Sequence, residues 1–197
     1  MGQDKALMSI TPDGPSIVET VAQKVSVVAN EILLVGTNAS HYSFLDLPLV
    51  PDAFPGTGPL GGIHSALAAS GSPYVLVVAC DMPFLSVSLL KYLVSIPRDY
   101  DLLVPVLDRP QPLHAIYSRA CLPLLEQDLL AGKYRVTGWF ENANVRTVGR
   151  TSIERFDPQF HSFFNMNTPE EYERARQLAT NSVATEAAPG VEPGRRR

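Results

Sequence analysis

Several things are scarce in this sequence, and each scarcity narrows what the protein can be. Only two cysteines occur in 197 residues, Cys80 and Cys121, and neither has metal-ligand spacing. Both lie in apolar stretches, so the expectation is two reduced, buried thiols and no disulfide framework. No apolar run approaches the ~20 residues of a membrane-spanning helix, and the clean run at residues 74–80 falls far short. Met1-Gly2-Gln3-Asp4-Lys5 carries no apolar stretch of the signal-peptide kind. Positive charge is in deficit as well. Sixteen Lys and Arg against 20 Asp and Glu give a net charge of −4, which argues against nucleic-acid binding as the main business. There is no Gly-Lys-Ser/Thr to complete a Walker A loop and no repeat of solenoid period. The expected protein is cytoplasmic, with neither nucleic acid nor membrane as a partner.

What is present is a core. At 45% apolar and 18% charged residues, a chain of this length forms one domain without a metal or disulfide staple. Residues 31–36 and 74–80 are short, continuous apolar runs of the kind buried on both faces of a parallel sheet. Residues 102–106 are a third such run, with Pro105 assigning its far half to an edge or strand end. Residues 113–117 and 163–166 are two more candidates, and Leu49-Val50 ends another strand. Helical spacing marks 15–28, 59–69, 87–96 and 118–131, with Gly132 as a stop. Thr168-Pro169-Glu170-Glu171 reads as an N-cap, a first-turn proline and a capping-box glutamate, opening a helix to about Leu178. Strands alternating with helices predict an α/β fold with a mostly parallel sheet. Residues 180–197, ending in Arg195 to Arg197, have no apolar face and read as a disordered tail behind a domain of residues 1–179.

In open α/β sheets ligands bind beyond the carboxyl ends of the strands, so the residues just after each run carry most weight. Asp81 follows residues 74–80 directly. A single carboxylate there suits Mg2+, which takes one or two carboxylates and completes its shell with water and phosphate oxygens. An N-cap ahead of Ser86 is an equal reading. Asn38 and Asp52 stand at two other strand ends. Pro55-Gly56-Thr57-Gly58-Pro59-Leu60-Gly61-Gly62-Ile63 sets glycines before a helix, where free N–H groups favour an anion, although an ordinary turn fits as well. Together these groups form a nucleotide cradle, since an amide both donates to and accepts from a base and ribose hydroxyls suit a carboxylate. Lys5 is a compact charge suited to phosphates, or else a solvated terminal lysine.

Several of these segments resemble one family. Gly2-Gln3-Asp4-Lys5-Ala6-Leu7 is similar to the end of the signature loop of the molybdenum cofactor nucleotidyltransferases. Pro51-Asp52 with Gly58-Pro59-Leu60-Gly61-Gly62-Ile63 resembles their second motif. Cys80-Asp81-Met82-Pro83-Phe84-Leu85 resembles their metal-binding motif in the guanylyltransferase form, where cytidylyltransferase relatives carry Gly-Asp-Gln-Pro. Pro112-Leu113-His114-Ala115-Ile116-Tyr117 and Phe164-Asn165-Met166-Asn167-Thr168-Pro169 also look like guanylyltransferase segments, and the match runs in order from about residue 2 to 178.

The resemblance implies a three-layer, Rossmann-like nucleotidyltransferase that joins GMP from GTP to molybdopterin and releases pyrophosphate. It assigns Lys5 and Asp81 to catalysis, with Mg2+ on Asp81. It assigns Lys5, Asn38, Asp52 and Asp81 to GTP, and Gly61, Gly62, Asn165 and Asn167 to the pterin side. His114 is expected to be a hydrogen-bonded structural histidine rather than a pterin ligand. Cofactor-insertion proteins and acceptor molybdoenzymes are the implied protein partners. In the family, a first strand and a loop of the form Leu-x-Gly-Gly-x-Ser-x-Arg precede the Met-Gly that here is Met1-Gly2. The expectation is therefore a sheet without its first, central strand, and a native chain longer than this one. Two alternatives stand beside this reading: cytidylyl transfer to the same cofactor, and a catalytically impaired nucleotide-binding protein.

Overall fold

In the computed structural model, residues 4–36, 39–166 and 168–186 are described. The elements in chain order are α1 (Ile17–Val25), β1 (Leu34–Val35), β2 (Leu49–Val50), α2 (Pro59–Ala69), β3 (Tyr74–Val78), α3 (Val87–Ser95), β4 (Leu102–Val106), β5 (His114–Ser118), α4 (Leu122–Leu130), β6 (Val145–Gly149), α5 (Arg150–Glu154) and α6 (Pro169–Glu186). Short 3-10 turns at Lys5–Leu7, Ala39–Leu45 and His161–Phe163 fill connections that prove important at the site.

Local chemistry accounts for the helix starts. Ser16 and Glu19 form a reciprocal capping box on α1, and the Ser86 hydroxyl accepts from the Leu89 N–H to start α3. Thr168 and Glu171 exchange two hydrogen bonds of 2.9 and 3.1 Å at the head of α6, as their spacing predicts. Gly132, at φ +71°, ends α4 in a conformation that only glycine adopts cheaply. Helix α6 runs to Glu186, past the expected end near Leu178, so the first part of the expected tail is helical. Residues 187–197 lie outside the described residues.

Four strands form one sheet in the order β3-β5-β4-β6, and β1 pairs with β2 in a separate parallel pair. Strand β5 runs antiparallel to both β3 and β4, while β4 and β6 are parallel. Three of the four strands in the larger sheet thus point one way, and β5 is the reversal that the expectation of a mostly parallel sheet did not contain. Pro105 behaves as expected. Only Leu102 and Leu103 of β4 pair with β5; opposite β6, the proline half meets just the returning turn, where the Gln111 N–H donates to the Pro105 carbonyl at 2.9 Å.

Alternation along the strands divides the core between two faces, giving three layers. Val75, Val77, Leu102, Val104 and Tyr117 face α2 and α4, where Leu60, Ile63, Leu67 and Leu125 are fully buried. Leu76, Leu103, Ile116 and Val148 face the opposite helices, among them α3 and α5. Each such buried side chain contributes about 1.5–3 kcal/mol through its removal from water. Cys121 is buried as expected, but Cys80 is exposed, because it lies beyond the end of β3.

Between β1 and β3 the sheet is interrupted by a slot of about 770 Å³. All five residues of β3 line it, together with Leu34 and Val35 of β1. Successive strand residues point to opposite faces, so a space touching all five runs along the edge of β3 rather than over a face. The sheet pairs are tied across it by α2, which packs on β1, β2 and β3. No helix among the described residues is long and apolar enough to cross a membrane.

Candidate active site

The site lies beyond the carboxyl end of β3. Asp81 follows the strand end by three residues, and Ala79 is held to the neighbouring strand by an N–H donated to the Leu113 carbonyl at 3.0 Å. Partial burial pushes the Asp81 carboxyl above its ordinary value. A backbone hydrogen bond and the Lys5 ammonium pull it the other way, and the Glu171 carboxylate adds to the rise. Lys5, Asp81 and Glu171 therefore share one electrostatic neighbourhood, assembled from the chain start, the end of β3 and the head of α6.

The turn bearing Lys5 is built by Asp4. One Asp4 oxygen caps the Ala6 N–H at 3.2 Å, and the other accepts from the Tyr42 hydroxyl at 2.5 Å. Burial and this carboxylate raise the Tyr42 pKa, keeping the hydroxyl protonated as the donor. Tyr42 thus joins the segment Ala39–Leu45 to the Lys5 turn. Asn38, just before that segment, lies outside the described residues, as does Asn167.

Asp52 is committed locally. Its Oδ1 accepts from the Phe54 N–H at 2.9 Å and the Ser65 hydroxyl at 3.3 Å, closing the turn that leads into α2. The two glycines of α2 differ. A Cβ on Gly61 meets Thr57 Oγ1, the Phe54 carbonyl and Asp52 Oδ1 at 2.4, 2.8 and 2.9 Å, whereas one on Gly62 meets nothing within 4 Å. Gly61 is required by packing against the turn, and Gly62 faces open space at the slot.

Asn165 lies apart from Lys5, in a recess of about 350 Å³ beside Met82. Arg109, Gln111, Arg135 and Thr137 share this recess, and the Asn165 Oδ1 is buried without a hydrogen-bond partner among the described residues. An acceptor left unpaired in a recess carrying two arginines is a feature that a bound molecule with both donor and anionic groups would resolve. His114 does not open onto it. The imidazole is fully buried against the Phe163 ring, 4.9 Å between centroids, and neither nitrogen reaches hydrogen-bond geometry. The expected burial is present, and of the expected hydrogen bond there is only a weak approach to the Ser162 backbone.

Sequence reasoning missed Tyr42, Glu171, Arg109 and Arg135 as site residues. Glu171 was legible only as a capping-box residue. The arginines stand in polar loops after β4 and α4 with no motif around them, so only the fold reveals their convergence.

The group chemistry and the topology define a class. The fold is that of the nucleotidyltransferases, shared for example with a 2-C-methyl-D-erythritol 4-phosphate cytidylyltransferase from Thermus thermophilus at a TM-score of 0.67 and 17% identity, covering 89% of this chain and 94% of that one. Within this class, residues 1–147 match the MobA-like NTP transferase domain, and the chain belongs to that family. It is 36% identical over 183 residues to a probable molybdenum cofactor guanylyltransferase of Pelotomaculum thermopropionicum, covering 92% of this chain and 88% of the relative. A molybdenum cofactor guanylyltransferase of Desulfosudis oleivorans is 32% identical over 176 residues, with 88% and 86% covered. The crystal structure of molybdopterin-guanine dinucleotide biosynthesis protein A from Archaeoglobus fulgidus superposes with a TM-score of 0.78 at 28% identity, covering 91% of this chain and 92% of that one. The protein is a nucleotidyltransferase of the molybdenum cofactor guanylyltransferase family.

Proposed function

We propose that the protein transfers GMP from GTP to the molybdopterin form of the molybdenum cofactor and releases pyrophosphate. The observation that carries the reading is that Lys5 and Asp81 line one slot within electrostatic reach of each other, in a chain whose relatives bear that activity in their names. In the reaction a terminal phosphate oxygen of molybdopterin attacks the α-phosphorus of GTP, and the bond to the pyrophosphate leaving group breaks. Phosphoryl transfer of this kind needs little covalent work from protein, so positioning and charge neutralisation carry it.

Among the described residues no three His, Cys, Asp or Glu side chains cluster as a metal cage. That donor set fits Mg2+ arriving on nucleotide phosphates, which needs only one or two carboxylates, and Asp81 is the residue that would hold it. When bound, Mg2+ supplies charge neutralisation at the reacting phosphates. Lys5 neutralises triphosphate oxygens from the turn that Asp4 and Tyr42 fix. Asn38 is assigned the guanosine portion, with the Oδ2 of Asp52, whose Oδ1 closes the turn before α2. Gly62 permits close approach at the head of α2, with Gly61 seating that helix on its turn. The Asn165 recess, with Arg109 and Arg135, suits the second substrate: its arginines match a phosphate and the unpaired Oδ1 accepts from a pterin N–H. Asn167 is assigned to the same side.

Substituting Asp81→Ala tests the metal assignment. Pyrophosphate release from GTP and molybdopterin is expected to fall at least ~100-fold, the scale lost with one oriented transition-state contact, while the melting temperature holds. Full activity in the variant overturns the role of Asp81.

A further inference from the structure

Asp81 stands in a loop that its own backbone does little to stiffen. Pro83, two residues on, has no N–H to donate, and the loop must reach α3 at Val87 without regular structure. Three long-range hydrogen bonds hold it. On the far side the Ser86 N–H donates to the Ser162 hydroxyl and the Ser86 hydroxyl to the Phe156 carbonyl, both at 2.8 Å. On the near side the Lys24 ammonium donates to the Pro83 carbonyl at 2.9 Å, from 59 residues earlier in the chain.

Lys24 has an easier alternative that it does not take. It sits in the last turn of α1, where an ammonium can turn toward its own helix carbonyls and solvent. Instead its charge is partly buried with no carboxylate pairing it among the described residues, and burial pulls its pKa below the ordinary value. The rest of α1 grips the same loop through apolar contact, with Ile17, Val21 and Val25 in one buried cluster with Met82 and Leu85. The capping box of Ser16 and Glu19 fixes where the helix begins, and so where Lys24 falls.

We propose that Lys24 is a positioning residue for the Asp81 loop, its ammonium holding the Pro83 carbonyl so that the Asp81 carboxylate is presented at a fixed place to metal-bound nucleotide. This rests on the nucleotide-transfer reading for its consequence, but not for its geometry.

The test uses the full chain, with Lys24→Met to keep the apolar stem without the donor and Lys24→Arg to restore a cationic donor. Binding of Mn2+ with GTP is measured by titration, and amide hydrogen exchange is followed across residues 80–86. In Lys24→Met the affinity for Mn2+–GTP falls about 10–100-fold, the loss typical of removing a group that orients a metal ligand. Exchange in the loop speeds up, the melting temperature stays within a few degrees, and Lys24→Arg retains most of the wild-type affinity. Should Lys24→Met fail to fold, Lys24→Gln carries the same measurements. Unchanged affinity in the variant overturns the positioning role, whether or not the loop exchanges faster. A wild-type chain that binds no Mn2+–GTP contradicts the nucleotide-transfer reading instead. The exchange measurement then decides alone, and an unaltered loop overturns the role of Lys24.

Discussion

His114 is a residue whose burial has a measurable consequence at acid pH. It is fully buried, and desolvation lowers its pKa from 6.5 to about 4, against weaker opposing effects of the Ser162 backbone and the Asp157 carboxylate. The unfolded chain takes up a proton near pH 6.5 and the folded chain only near 4, so between these values the unfolded state binds more protons. Stability therefore falls as pH falls through that window, by about 3 kcal/mol in all if this group acts alone. Denaturant unfolding of wild type and His114→Leu at pH 7 and pH 4.5 checks this, and the variant should lose less stability on acidification. An identical loss in both would show that other groups carry the acid sensitivity. Single residues were partly legible in the sequence. The position of Asp81 beyond a strand end is legible, because an apolar run reveals it, and Lys5 lies within electrostatic reach of it. The commitment of Asp52 to its own turn was not legible, since a carboxylate two residues after a strand reads the same whether it faces a ligand or the Phe54 N–H.

At the scale of elements, α2 is the piece that joins the site to the scaffold. Its first turn is seated on the turn at residues 52–57 through Gly61, where any Cβ collides with a backbone carbonyl. Gly61→Ala should cost about 1–3 kcal/mol, the usual penalty for overpacking. Gly62→Ala should be neutral or stabilising by up to ~1 kcal/mol, from helix propensity alone. Equal effects in thermal unfolding would contradict the packing difference. Most elements followed from period and punctuation: α2 and β4 occur over the expected residues, and Thr168 and Glu171 cap α6. Strand β6 was missed because it lies at the sheet edge with Val148 as its one buried residue, so its sequence carries almost no apolar pattern. Residues 163–166, expected as a strand, instead comprise the last residue of a 3-10 turn and an irregular stretch after it. Phe160 there takes a φ of +56°, and the aromatic residues pack individually against His114 and Phe84. Apolar content alone cannot distinguish such a turn from a buried strand.

For the whole molecule, the fold class was legible and the direction of one strand was not, because hydrophobic period carries no polarity. The interruption between β1 and β3 divides the sheet pairs, yet α2 bridges it and the Lys5 turn, the Asp81 loop and the head of α6 converge at its carboxyl end. This convergence makes nucleotide transfer the activity to measure. The central claim is tested by incubating the protein with molybdopterin, Mg2+ and either GTP or CTP, then identifying the dinucleotide product by mass. Formation of the guanine dinucleotide with equimolar pyrophosphate, and little product from CTP, is the predicted result. Preference for CTP, or no product from either nucleotide, would contradict it.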